Sequence, residues 1–308
     1  MPIANIKKRR HGDCFRGVFD GHKKHMAFMA DHRIQIAEKT MNQNLSGIPE
    51  TMLIPLWARA VETVREKPII RDDMAVEMVS RIDYDFAKFK KSWLSQVGVS
   101  IRTMLIDNAV HDFVTRHPGA QIVNLGAGLD TRCERLKEEA IVSWHDLDVP
   151  HAIELRRKFF AESERNRFIA KSVFDLSWMD DMDAAGQKTL IIAEGLLMYF
   201  TEEDIRVLFK QLAARFPGAE MLFEMLAPFL VGKSKHHDAV SKIGSRAEFK
   251  WGLKDSREIE TWDVHIRFME EWDYFDFHKE RWKWFGYLGR FPLIRPLLSN
   301  RIVHLCFM

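Results

Sequence analysis

Three features of the sequence predict an open α/β fold. Short apolar runs recur at 121–126, 141–148, 167–170, 189–195 and 220–226, helix-length segments separate them, and a glycine turn, "NLGAGLD", directly follows the first run. Such alternation indicates a parallel, doubly wound sheet with helices on its faces. Two later stretches, "YFDF" (274–277) and "RIVHLCFM" (301–308), have no clear crossover helix between them. They read as an antiparallel pair at the sheet edge, which makes seven strands in all.

From the start of the chain, residues 1–100 alternate apolar and charged positions at helical spacing and read as a helical extension. Residues 101–308 then form the main domain. Its first helix, "IRTMLIDNAVHDFVTRHP", sets Leu105, Ala109 and Phe113 beside Ile106, Val110 and Val114, and ends at Pro118 and Gly119. Its apolar stripe should pack on the sheet. Before the fifth run, "TEEDIRVLFKQLAARF" opens with Thr201 as an N-cap and acids in the first turn, where the helix dipole favours them. Residues 228–270 are longer than an ordinary connection and rich in Lys, His and Trp, as expected of an insertion that closes over a ligand.

Composition excludes several functions. A net charge of +2 with 46% hydrophobic residues is ordinary for a globular protein and gives no bulk attraction to nucleic acid. Cys14, Cys133 and Cys306 are too scattered for a disulfide framework or a zinc site, so a reducing compartment is expected. No apolar run is long enough to span a membrane, and "KKRR" at 7–10 is not followed by the apolar segment of a signal peptide. These features point to a cytoplasmic protein with no membrane partner. His22, His25 and His32 lack a carboxylate or thiolate partner at metal spacing, so no metal is expected.

In a doubly wound sheet the ligand sits beyond the carboxyl ends of the strands, and Gly126 and Gly128 would let the backbone approach it. A dinucleotide turn wants a third glycine at 131, which here is Thr131, with the negative Asp130 beside it. A nicotinamide oxidoreductase is therefore disfavoured. A nucleoside with a cationic or zwitterionic tail suits the turn, and S-adenosylmethionine is the common one. Asp148, 22 residues after Gly126, is placed for the ribose hydroxyls, with Asp146 as the alternative.

The motifs "VNLGAGLDTR", "DLDVP" and "IIAEGLLMYFTEED", in this order and spacing, resemble the leucine carboxyl methyltransferase family, and within it the polyketide O-methyltransferase branch of the tetracenomycin type. The upstream "RAVETVREKPIIRDDMA" and "GVSIRTMLIDNAV" are also similar. The resemblance implies a class I methyltransferase fold, Rossmann-like, that binds S-adenosylmethionine and releases S-adenosylhomocysteine. It matches Arg102 to an arginine on the methionine carboxylate, a role suited to a bidentate guanidinium, and Asp148 to the ribose acid. Glu194 matches an acid near the methionine amino group. Arg59 could also line the cofactor's tail end.

The chain departs from the family pattern at Asn124, where many methyltransferases carry an acid, and at "KSVFD", which leaves the adenine contact open among Ser172, Val173 and Asp175. The implied reaction is O-methylation of a hydroxyl or carboxyl group on a small-molecule acceptor. Tyr199, His265 and His278 are candidates for a base, and Trp251, Trp262, His265, Trp272 and His278 for a pocket wall. The competing readings are carboxyl methylation of a protein or peptide C-terminus, and cofactor binding without catalysis.

Overall fold

The computed structural model describes residues 50–182, 187–243 and 247–308. Cys14, the "KKRR" run, His22, His25, His32 and the first half of the expected helical extension lie outside the described residues. The described residues of 50–80 and 85–308 belong to one compact unit, which does not include residues 81–84.

The larger unit is built on a sheet of seven strands: β1 (Ala120–Leu125), β2 (Ile141–Asp148), β3 (Asn166–Ala170), β4 (Thr189–Ala193), β5 (Glu220–Met225), β6 (Ile266–Asp273) and β7 (Arg301–Phe307). Their order is β3-β2-β1-β4-β5-β7-β6. The first five pair in parallel, while β7 runs antiparallel to both β5 and β6. Strands β1, β4 and β5 are buried at every position, which is why they read as apolar runs. The strand order reverses between β1 and β4, and a crevice opens beyond their carboxyl ends.

Helices α1 (Leu53–Thr63), α2 (Asp73–Arg81), α3 (Trp93–Arg116), α4 (Pro150–Arg156) and α5 (Glu202–Arg215) complete the main elements. Helix α5 begins as its sequence predicts: Thr201 Oγ1 accepts from Asp204 N, and Asp204 accepts in return from Thr201 N, a reciprocal capping box. Helix α3 packs its apolar face against Ile122, Leu190 and Ile192 of the sheet, and stops before Pro118. It starts eight residues earlier than its own periodicity predicts. The reason is remote: Asp238, in the insertion, accepts from Leu94 N and Ser95 N, satisfying two of the helix's open donors.

One strand lies elsewhere than its apolar pattern predicts. "YFDF" is a 3-10 turn, Tyr274–Asp276, and the strand is the charged stretch before it, β6. Asp273 accepts from Phe275 N at 2.9 Å and bends the chain there, while Tyr274 and Phe275 fill the core beside Ile302. The antiparallel edge itself stands. The insertion is a series of 3-10 turns, Pro228–Leu230, Ser234–His236, Val240–Lys242 and Ser256–Thr261, and its last residues, from Ile266, are already in β6.

Candidate functional site

The glycine turn opens the site. Gly126 N and Ala127 N both donate to Leu147 O, at 2.8 and 3.1 Å, tying the end of β1 to β2. Gly126 has φ +67°, and a Cβ there would sit 2.8 Å from Leu196 Cδ1; Gly128 has φ +47°. Both positions use the left-handed region, where side chains are strained. Behind the turn, Arg156 donates to the carbonyls of Gly128 (3.1 Å) and Asp130 (2.7 Å) and pairs with Asp146 at 2.6 Å. Asp148 accepts from Gly128 N at 2.8 Å and from Val149 N at 2.7 Å. Burial raises its pKa against these two donors.

A buried network of alternating charge continues from the turn. Arg102 donates through Nε to Glu194 and through Nη1 to Glu224, each at 2.7 Å. Arg132 binds Glu194 (2.5 Å), Asp130 (2.6 Å) and Asp107 (2.6 Å). Arg59 donates through Nε to Asp72 at 2.7 Å and through Nη2 to Leu129 O at 2.8 Å. Burial would raise the carboxyls of Glu194 and Asp130, but the guanidiniums outweigh it: Arg102 and Arg132 hold Glu194 low, and Arg132 and Arg135 hold Asp130 well below the usual range. Asp130 is thus neutralised locally rather than left as a repulsive charge. Thr131 is fully buried with its hydroxyl on Asp72, and the helix after it is the single turn Arg132–Arg135. That turn is too short to offer a pyrophosphate an N-terminus.

Arg59, Arg102, Asn124, Gly126, Gly128, Asp130, Glu194 and Glu224 line one cavity of about 510 Å³. Its other half is aromatic: Tyr199, Phe249, Phe275, Trp282 and Phe285 wall it, with Phe229 and His237 from the insertion. The Phe249 ring lies 5.7 Å from Tyr199 and 5.5 Å from His237. Glu224 spans the two halves, since its Oε1 accepts from Tyr274 Oη at 3.0 Å and Asn300 Nδ2 at 3.3 Å.

Of the residues singled out from sequence, Arg102, Gly126, Gly128, Glu194 and Tyr199 meet in this cavity, as does Arg59. Asp148 lies one hydrogen bond behind its wall, through Gly128. Asp146 is fully buried, with its oxygens on Arg156, Trp144 and Asn124. Ser172, Val173 and Asp175 lie outside the cavity's lining. Val173 O accepts from Trp178 Nε1, Ser172 Oγ accepts from Phe174 N, and Asp175 caps the turn Leu176–Asp180. His265 and His278 also lie outside: His265 is exposed beside Asp263, and His278 is next to Glu280. Trp251 and Trp262 pack on each other in the core, and Trp272 stacks on His304. The cavity adds Glu224, His237, Tyr274 and Trp282, which no motif marked. Among the described residues, no group of three His, Cys, Asp or Glu side chains is placed to hold a metal, and no helix is long and apolar enough to cross a membrane.

The lining fits S-adenosylmethionine. Glu194 and Glu224 face it beside the guanidiniums of Arg59 and Arg102, so it offers acceptors for an amino group and donors for a carboxylate, the two charged groups of a methionine tail. Arg102 Nη2 and Arg59 Nη1 remain without a protein acceptor among the described residues.

Comparison with known proteins agrees with this geometry. Residues 52–213 match the leucine carboxyl methyltransferase family. The tetracenomycin polyketide synthesis O-methyltransferase TcmP of Streptomyces glaucescens is 32% identical over 227 residues, covering 74% of this chain and 83% of the relative. The S-adenosyl-L-methionine-dependent methyltransferase dpfgK of Gibberella zeae is 28% identical over 247 residues, 73% of this chain and 82% of the relative. Among solved structures, a putative methyltransferase from Thermobifida fusca shares the fold with a TM-score of 0.52 at 13% identity, covering 82% of this chain and 94% of its own. With the family pattern spanning more than half of its length and a relative this similar across most of it, the chain belongs to the leucine carboxyl methyltransferase family and is an S-adenosylmethionine-dependent O-methyltransferase.

Proposed function

We propose that the enzyme methylates an oxygen on a small, flat, largely apolar acceptor of the polyketide type, bound beside Phe229, His237 and Phe249. The observation that carries this reading is the single cavity, charged at the β1–β4 crevice and aromatic at its other end. A cofactor tail and an aromatic acceptor then share one continuous cavity. The relative named for tetracenomycin polyketide synthesis supports the acceptor class.

When bound, the cofactor supplies an electrophilic methyl group on a sulfonium. The chain's own part is to bind, align and exclude water, and alignment alone can lower such a barrier by roughly 7–11 kcal/mol. Arg102 and Arg59, through their open nitrogens, are assigned to the methionine carboxylate, Glu194 to the amino group and Asp148 to the ribose hydroxyls. The adenine contact is assigned to the connection after β3, where Ser172, Val173 and Asp175 lie. Arg59 ties residues of the helical extension, 1–100, to the methyltransferase domain, 101–308, and the insertion acts as a lid. The scattered cysteines suit work in a reducing compartment, the cytoplasm.

Calorimetric titration with S-adenosylhomocysteine, with NADH as control, tests the cofactor assignment. Mass spectrometry of incubations with aromatic acids, phenols and short peptides tests the acceptor. Methylation of peptides in preference to the small molecules would refute the proposal.

A further inference from the structure

Phe229 lies between the cavity and the outer surface: its side chain lines the aromatic end and is still 52% exposed. An apolar patch continues from it. The turn Pro228–Leu230 packs against the turn Arg295–Leu298, which in turn packs against Lys279–Arg290. Along this stretch Trp284 (66% exposed), Tyr287, Phe291, Leu293 (85%), Ile294 and Leu297 all stand in solvent. Trp284 packs edge-on against Phe285, which lines the cavity, so the patch is the outer side of the pocket's own wall. Single exposed apolar residues are ordinary, but six large ones so close together mark a face that meets a partner.

Positive charge borders the patch. Residues 90–93, 228–242 and 279–297 carry ten Lys and Arg and two acids, in a chain whose net charge is only +2. Arg281 and Arg295 are tied to Glu62 and to Asp273 and Asp276, and serve the fold. The lysines remain at the surface: Lys233 lies over the Phe229 ring, Lys283 over Trp93, Lys242 on the Ser92 hydroxyl, and Lys90, Lys91 and Lys279 are exposed. Of the two acids, Asp238 is turned inward onto the start of α3 and Glu280 stands beside His278.

We propose that this face docks on an anionic lipid surface, with the apolar side chains below the headgroups and the lysines among them. At such a boundary Trp and Tyr place a ring in the lipid and a polar tip in the headgroups, while lysine stems lie along apolar surface and their ammonium groups meet anions. Charge argues against other occupants. A second copy docking the same face on itself would set lysine against lysine, and the chain's own residues 1–49, with nine Lys and Arg and four acids, carry the same sign. The expectation of no membrane partner weighed only spanning and leader segments, which surface binding does not need. The consequence for the reaction rests on the acceptor reading above: an apolar acceptor dissolved in lipid would reach the cavity past Phe229 without crossing water.

The test is cosedimentation of the full chain, without cofactor or acceptor, with vesicles of phosphatidylcholine alone or with about a third phosphatidylglycerol. The anionic vesicles should be bound at least about tenfold more tightly, and added salt should weaken that binding. Trp284→Ser with Leu293→Ser should reduce it about tenfold or more, and Lys233→Gln and Lys283→Gln about fivefold each. All four positions are exposed, so Tm should stay as in the wild type. No vesicle binding, no preference for anionic lipid, or binding indifferent to the substitutions, which would assign it to a run such as "KKRR", would each overturn the proposal. So would self-association abolished by Leu293→Ser, or binding of polyglutamate in place of vesicles, which would give the face to a second copy or to an acidic protein. None of these outcomes bears on the methyltransferase reading, whose own test is the S-adenosylhomocysteine titration.

Discussion

Arg156→Met offers a quantitative test of how the glycine turn is supported. Arg156 is the cation paired with Asp146, at 2.6 Å, and both side chains are almost wholly buried. Burial raises the Asp146 pKa even with this guanidinium present. Such a raised acid contributes stability at low pH, below the unfolded value near 3.9, and loses it as the pH climbs through the folded value. Removing Arg156 raises the folded value further, so the damage must grow with pH. It also has a ceiling: rather than remain an uncompensated buried anion, Asp146 takes up a proton, at about 1.36 kcal/mol for each pH unit above about 3.9. The carboxylate's share of the loss is therefore at most about 1.5 kcal/mol at pH 5 and about 4 kcal/mol at pH 7, the latter in line with the roughly 3–5 kcal/mol lost when one partner of a buried pair is removed.

The two carbonyl hydrogen bonds, to Gly128 and Asp130, add about 1 kcal/mol each at every pH. Urea unfolding followed by circular dichroism at both pH values should show the destabilisation rising by about 2–3 kcal/mol between them. In Arg156→Met with Asp146→Asn, the amide oxygen still accepts from Trp144 and Asn124, so the pH dependence should vanish while the constant part remains. A destabilisation that is flat with pH, or unaltered by the second substitution, would refute the reasoning.

Three other perturbations probe the same crevice. Arg102→Lys cannot serve Glu194 and Glu224 and still offer a nitrogen to a ligand carboxylate, so S-adenosylhomocysteine affinity should fall by about 1.5–3 kcal/mol; an unaltered calorimetric titration would remove Arg102 from the cofactor site. Asp148→Ala removes both the proposed ribose acceptor and the partner of Gly128 N, and a similar loss of affinity is expected; unchanged binding would leave Asp148 as a turn support alone. Gly126→Ala puts a Cβ into the left-handed region and against Leu196, which should cost about 1–2 kcal/mol in backbone strain and a further 1–3 kcal/mol in overpacking, read as a lower Tm. Trimming Leu196 to Ala in the same chain should recover only the packing part, leaving the strain.

How far each part of the molecule can be read from sequence follows the range of the forces that shape it. Strands β1, β2, β4 and β5 are legible because they are apolar runs in the interior of a parallel sheet, and α5 is legible because its cap lies within its own four residues. The start of α3 is not, since the group that caps it is Asp238, more than a hundred residues away. Strand β6 is hidden for a different reason. It carries "EEWD" on a half-exposed edge, while the apolar "YFDF" after it is turned aside by a side chain–backbone bond that no hydrophobic pattern records.

The site divides along the same line. The glycine turn, Arg102 and Glu194 are legible because they lie in motifs, whereas His265 and His278 are marked only by residue type, and the fold leaves both outside the cavity. Glu224 did leave a signal: a carboxylate inside a strand buried at all six positions must have partners, and a buried acid in "EMLFEM" predicts a nearby arginine. The matching arginine is Arg102, which already holds Glu194. The link between β4, β5 and α3 is thus an ionic one, and it runs from the charged end of the cavity to Tyr274 at the border of its aromatic end. Because Arg102 is shared, a ligand carboxylate that drew on it, as proposed for the cofactor, would compete with Glu224, whose other oxygen accepts from Tyr274 and Asn300.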